Sequence, residues 1–132
     1  MPFIHIESLP FDKSFNVNTS FNVNTVIKRL SKDFAEGTGI GLEHVTVTWE
    51  FLTPGHYAMA GKTAQHQPQD SHPVLVDLLA PDFNAAKSVE QMLTTVAMSI
   101  STRTKVPIGN IFINHRQAHA GTVFDAGEIV RW

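Results

Sequence analysis

Pro2, the second of 132 residues, offers the clearest chemistry in the chain. Once an initiator methionine is removed, a proline in second place becomes a secondary amine at the head of the protein. An ordinary α-amino group has a pKa of about 7.7–8.0. A dry pocket that disfavours its protonated form makes such a group a general base at neutral pH. A chain that keeps Met1 instead carries a tertiary amide at this nitrogen, which has no basicity. Proline at the head of a strand also has a plain structural reason, because it has no N–H to leave unpaired. Seven histidines invite a metal reading, and His115-x-x-x-His119 has a helical ligand spacing. That pair falls at the end of an expected strand, where residues four apart share a face but stand too far apart for one ion. No metal site is expected. His5 is read as structural, since alternation along a strand puts it on the face opposite Pro2. No phosphate loop, dinucleotide fingerprint, nucleophilic serine elbow or paired-carboxylate motif is present, so no cofactor is expected.

The composition bounds the rest. A chain of this length fits one domain, residues 1–132, with a real core, and 42% apolar with 17% charged residues is ordinary globular usage. The formal charge of -2, with lysines and arginines scattered, makes no case for nucleic acid. Cysteine is absent, which excludes disulfides and a thiol nucleophile. No apolar run approaches a membrane span and no export signal opens the chain. A cytoplasmic protein with small-molecule or protein partners is expected.

A positioned amine needs elements to hold it. Residues 3–8 read as a first strand, with Asp12 or Ser14 the candidate cap of a first helix. Ser14-Phe15-Asn16-Val17-Asn18-Thr19 is repeated at once as Ser20-Phe21-Asn22-Val23-Asn24-Thr25. Its alternation suits a strand as well as a helix. Val23, Val26, Ile27, Leu30 and Phe34 follow at helical spacing, and Gly37 and Gly39 end the run. The helix is therefore expected from about residue 14 to these glycines. Residues 44–52 form a second strand, with Trp49 facing the core or a subunit interface. A Gly-rich loop from Gly55 to Gly61 leads into a surface connection over 62–71. Residues 73–79 make a third strand. Pro81-Asp82 opens a second helix with an apolar stripe of Phe83, Ala86, Val89, Leu93, Val96 and Ile100. Residues 110–116 are the fourth strand, 121–127 a second Gly-rich loop, and 128–132 a short final strand.

The order strand, helix, strand, Gly-rich loop thus occurs twice, in half-repeats of about 1–61 and 72–132. Pro2-Phe3-Ile4 answers Pro73-Val74-Leu75, while His44-Val45-Thr46-Val47 answers Asn110-Ile111-Phe112-Ile113. Gly55 and Ala60-Gly61 answer Gly121 and Ala126-Gly127. Parallel strands need a crossover helix, so two βαβ halves side by side make an α+β, two-layer sandwich. Its four-stranded mixed sheet carries both helices on one face. The other face, expected to be largely apolar, needs burial against other subunits.

Pro2, the paired βαβ halves and the run from Val45-Thr46-Val47 to Gly55-His56-Tyr57-Ala58-Met59-Ala60-Gly61 resemble the tautomerase superfamily. That run is similar to the strand and loop of 4-oxalocrotonate tautomerase, and Ile111-Phe112-Ile113-Asn114 is similar to the fourth strand of macrophage migration inhibitory factor. Phe124-Asp125-Ala126-Gly127-Glu128 resembles a branch of tautomerase-like proteins. The resemblance implies a homotrimer and a cofactor-free tautomerase or isomerase of a small enol or keto acid. Pro2 would be its base, and Tyr57, Asn114 and Phe112 would line the pocket. The family's carboxylate-gripping arginines read Asp12 and Thr46 here, and its pocket lysine reads Ile40. Lys13 and Arg116 are the candidate replacements. The alternative is a tautomerase-like trimer kept for binding or structure.

Overall fold

The structure, a computed structural model, describes residues 2–12 and 22–132. Strand β1 (Phe3–Ser8) lies at the middle of a four-stranded sheet, with β2 (Thr46–Phe51) parallel on one side and β5 (Val74–Pro81) antiparallel on the other. Strand β6 (Ile111–Ala118) runs parallel to β5 at the far edge. Two short hairpins complete the strands: β3 (Ala58–Met59) with β4 (Lys62–Thr63), and β7 (Val123–Asp125) with β8 (Glu128–Val130). Helices α1 (Val23–Thr38) and α2 (Ala86–Thr104) pack on each other and on one face of the sheet. This is the two-layer α+β arrangement expected, with each parallel pair bridged by a crossover helix.

The core lies between the layers. Ile4, Ile6, Val74, Val76, Leu78 and Ala80 point from the strands towards Leu30 and Phe34 of α1 and Met92, Val96 and Ile100 of α2. The helix positions recur every four residues, the spacing that keeps one stripe inward. Trp49 packs against this core, as expected, and its indole Nε1 donates to Ser8 Oγ at 3.1 Å.

Helix boundaries follow local chemistry. Asn22 is extended, and its side chain accepts a hydrogen bond from the Thr25 N–H at 3.3 Å. It satisfies one of the unpaired N–H groups of the first turn, so the cap is Asn22 and α1 begins at Val23. The expected extension towards residue 14 falls on residues outside the described ones. Helix α2 starts later than expected, at Ala86. Pro81 still belongs to β5, Asp82 N–H donates to Ala118 O, and Asn84 folds back onto Pro81 O through its backbone and side chain. Phe83 is accordingly outside the helix, 65% exposed, and meets Trp132 edge-on.

From α1 onward the halves superpose at a fixed separation of 66 residues. The left-handed caps Gly39 and Lys105, the 3-10 turns Leu42–His44 and Ile108–Asn110, and the hairpin residues Ala60-Gly61 and Ala126-Gly127 all correspond. In both hairpins the two turn residues have positive φ, which gives the type I′ geometry that matches strand twist. The first strand of each half follows a different rule. Phe3 pairs Thr46 while Leu75 pairs Phe112, a separation of 72. The expected match of Pro2-Phe3-Ile4 to Pro73-Val74-Leu75 is therefore one residue out of register, and Pro2 corresponds to Val74. A slip of one would put Ile4 and Leu75 on the same face, yet Ile4 is buried in the core and Leu75 looks outward.

Two further expectations change. The connection over 62–71 is not simply a surface segment: it carries β4 and the buried Gln67, whose side chain accepts from Leu9 N–H and donates to Pro68 O and His72 O. The uncovered sheet face is also not largely apolar. Its middle row runs Thr48, His5, Asp77, Asn114 across the four strands.

Candidate active site

Pro2 is buried just before β1, and its carbonyl accepts the Thr46 N–H at 3.0 Å, tying it to the head of β2. It opens on a cleft of about 400 Å³. The floor is Pro2, Phe3, Thr46 and Leu79, and the walls are Glu43 and His44 of the 3-10 turn and Val123, Phe124 and Asp125 of β7. Phe124 is 70% exposed at the rim. His44 Nε2 stands 3.6 Å from Glu43 Oε1, both largely solvated. A small carbonyl compound fits such a volume, with an apolar floor beneath it and polar groups at the edge.

A second cleft, also about 400 Å³, crosses the open sheet face. Here Arg116 Nε lies 2.9 Å from both carboxylate oxygens of Asp77, and Nη2 lies 2.6 Å from Oδ2. Hydrogen bonds from the guanidinium hold the Asp77 carboxyl below the usual range, and the same pairing raises Arg116 further. His5 sits beside this pair, with Nδ1 2.6 Å from Thr48 Oγ1 and Nε2 3.1 Å from Glu7 Oε1. The ligand atoms of His5, Glu7 and Glu50 lie within 4.8 Å of one another.

The sequence-derived residues thus fall in three places within one chain. Pro2 heads its own cleft. Phe112, Asn114 and Arg116 meet on the open face, with Leu75 and Asp77. Tyr57 is at neither. Its hydroxyl donates to Pro73 O at 2.8 Å and its ring stands 5.0 Å from His72, where burial pushes the phenol pKa up. Sequence reasoning passed over Glu43, His44, Leu79 and Val123 as cleft residues. It met Thr46 only as the replacement of an arginine and Phe124-Asp125 only as a loop run, though the conspicuous phenylalanine beside paired turn residues was a usable signal. Lys13 and Asp12 gain no assignment: Lys13 lies outside the described residues, and Asp12 is exposed beyond β1.

This architecture is that of known proteins. The chain superposes on native fused 4-OT with a TM-score of 0.75 at 12% identity, covering 96% of this chain and 94% of that one. Pt0534, solved as inactivated by 2-oxo-3-pentynoate, gives 0.76 at 14% identity over 97% and 94%. Macrophage migration inhibitory factor of Toxoplasma gondii gives 0.65 at 10% over 94% and 96%. The chain therefore has the fold of these proteins, two βαβ halves in one two-layer sandwich. No family model and no curated protein sequence matches it. Among the described residues no helix is long and apolar enough to cross a membrane.

Proposed function

We propose that the protein is a cofactor-independent tautomerase or isomerase of a small enol or keto compound, with the Pro2 nitrogen as general base. The observation that carries this reading is the buried proline at the mouth of a cleft of substrate size. After removal of Met1, the amine takes the hydroxyl proton of an enol and returns it to the adjacent carbon, leaving the ketone. Burial in the cleft favours the unprotonated amine that this step needs, and the carboxylates of Glu43 and Asp125 oppose it. Fused 4-OT forms trimers, and the same assembly is proposed for this chain, a single cytoplasmic domain of two half-repeats. Tyr57, Asn114 and Phe112 stand away from Pro2 in their own chain, so in this reading they line the cleft of a neighbouring protomer. Arg116 is engaged by Asp77.

The test is ketonisation of phenylenolpyruvate and of its methyl ester by protein whose N-terminal mass shows Met1 removed. Acceleration is expected for at least one of the two, and Pro2→Ala should lower it by about 100-fold or more. Equal rates for the two proteins would exclude Pro2 as the base. A second reading, a trimer kept for binding or structure, is favoured by Thr46 in place of an arginine and by the commitment of Arg116 to Asp77. Native protein that consistently retains Met1 would support it.

A further inference from the structure

The charges around Pro2 carry a statement about substrate. Among the described residues the cleft is bordered by two carboxylates, Glu43 and Asp125, and by no lysine or arginine. His44 is the one side chain there able to become positive, and Glu43 stands 3.6 Å from it. None of the arginines of the second half is among the residues that line the cleft. Arg116 is clamped on Asp77, Arg131 lies near Gly121, and Arg103 is bound by Asp33 across the two helices. Arg116 also sits at the far end of the row Thr46, Phe3, Leu79, Arg116. Three inter-strand steps put its backbone about 14 Å from that of Thr46.

Within one chain, an anionic substrate would therefore approach two like charges, with no lysine or arginine among the described residues that line the cleft. One such pair at about 4 Å costs roughly a factor of five in water, and more where water is excluded. The floor of Phe3 and Leu79 and the rim of Val123 and Phe124 instead suit an apolar body. We propose that the Pro2 cleft takes a neutral carbonyl compound, a ketone, aldehyde or ester with an apolar substituent, and discriminates against carboxylates. This rests on the reading of Pro2 as a free, reactive amine and names the substrate class of that site.

The probe pair is 2-oxo-3-pentynoate and its methyl ester, which differ in charge and share the reacting carbons. With either, the proline nitrogen adds to the alkyne carbon β to the ketone. One N–C bond forms, one π bond is lost, the amine proton ends on the α carbon, and nothing leaves. Adduct formation on Pro2 is followed by peptide mass spectrometry of Met1-free protein, with each rate divided by that of L-prolinamide in solution. The expected normalised preference is about tenfold or more for the ester. Asp125→Asn with Glu43→Gln, checked for a native circular dichroism spectrum, should bring the ratio towards one. A wild-type ratio at or below one overturns the substrate class while leaving Pro2 a reactive amine. No adduct from either reagent, while prolinamide reacts, overturns the reactive amine and the substrate class together. Should the double variant not fold, the wild-type ratio decides alone.

Discussion

The two ends of the central strand pair are built from corresponding residues and have opposite characters. At the head of β1, Pro2 faces Val123, Phe124 and Asp125 across an open cleft, beside Glu43 and His44. At the head of β5 the corresponding residues are Val74, Tyr57, Ala58 and Met59, with Gly109 and Asn110 in the turn. That end is sealed. Tyr57 donates to Pro73 O, Asn110 Nδ2 donates to Pro68 O and Ser71 O, and His72 is fastened through Met59 Sδ and Lys62 O. At the β5 end, the segment that precedes the strand fills the space. Before Val74 the chain must run through, so its polar backbone has to be satisfied inside the protein. One framework thus holds a plugged joint at the head of β5 and an open cleft at the head of β1.

Substitutions at the sealed end test this directly. Gln67→Ala strands the Leu9 N–H and His72 O, and should cost about 2–3 kcal/mol in urea unfolding, with little change in activity per folded molecule. An unchanged midpoint would mean that the connection does not seal that end. Tyr57→Phe should cost about 1 kcal/mol through the bond lost at Pro73 O. If its ring also lines a neighbour's cleft, KM rises in the same variant, whereas a stability loss with unchanged KM confines Tyr57 to the joint. A subtler mismatch between the halves lies at Trp49 and its counterpart His115. Trp49 donates to Ser8, but the counterpart of Ser8 is Ala80, and His115 Nε2 is the buried side-chain polar atom left without a partner among the described residues. Ala80→Ser should supply one and raise stability by about 0.5–1 kcal/mol. A loss on thermal or urea unfolding would show that the pocket cannot take the hydroxyl.

Much of this was open to reading from residues alone, for identifiable reasons. Val26, Leu30 and Phe34 lie on one helical stripe, and the Ala-Gly pairs recur at a constant separation, so the helices and hairpins announce themselves. Strand β5 does not. Val74 to Ala80 is apolar on both faces except at Asp77, and a strand without alternation carries no register signal. The two prolines were therefore a misleading anchor, and the correct match came only from the pairing of Phe3 with Thr46 and of Leu75 with Phe112. The same gap concealed the polar row on the open face. Asp77 meets His5 because β1 and β5 run antiparallel at the sheet's centre, and Arg116 because β6 runs parallel beside β5, long-range choices with no local trace. Pro2 could be singled out from its own chemistry, but the walls of its cleft come from β7 and a 3-10 turn far away in sequence.

The change of spacing from 72 before the helices to 66 after them gives the tandem hexapeptide a meaning. The first half is longer by six residues between β1 and α1, the length of one copy. Everything from α1 onward keeps step with its twin. Excising residues 14–19 should then leave the sheet register untouched and move unfolding stability by no more than about 0.5 kcal/mol. A larger loss would reveal that the surplus stretch has taken on contacts of its own.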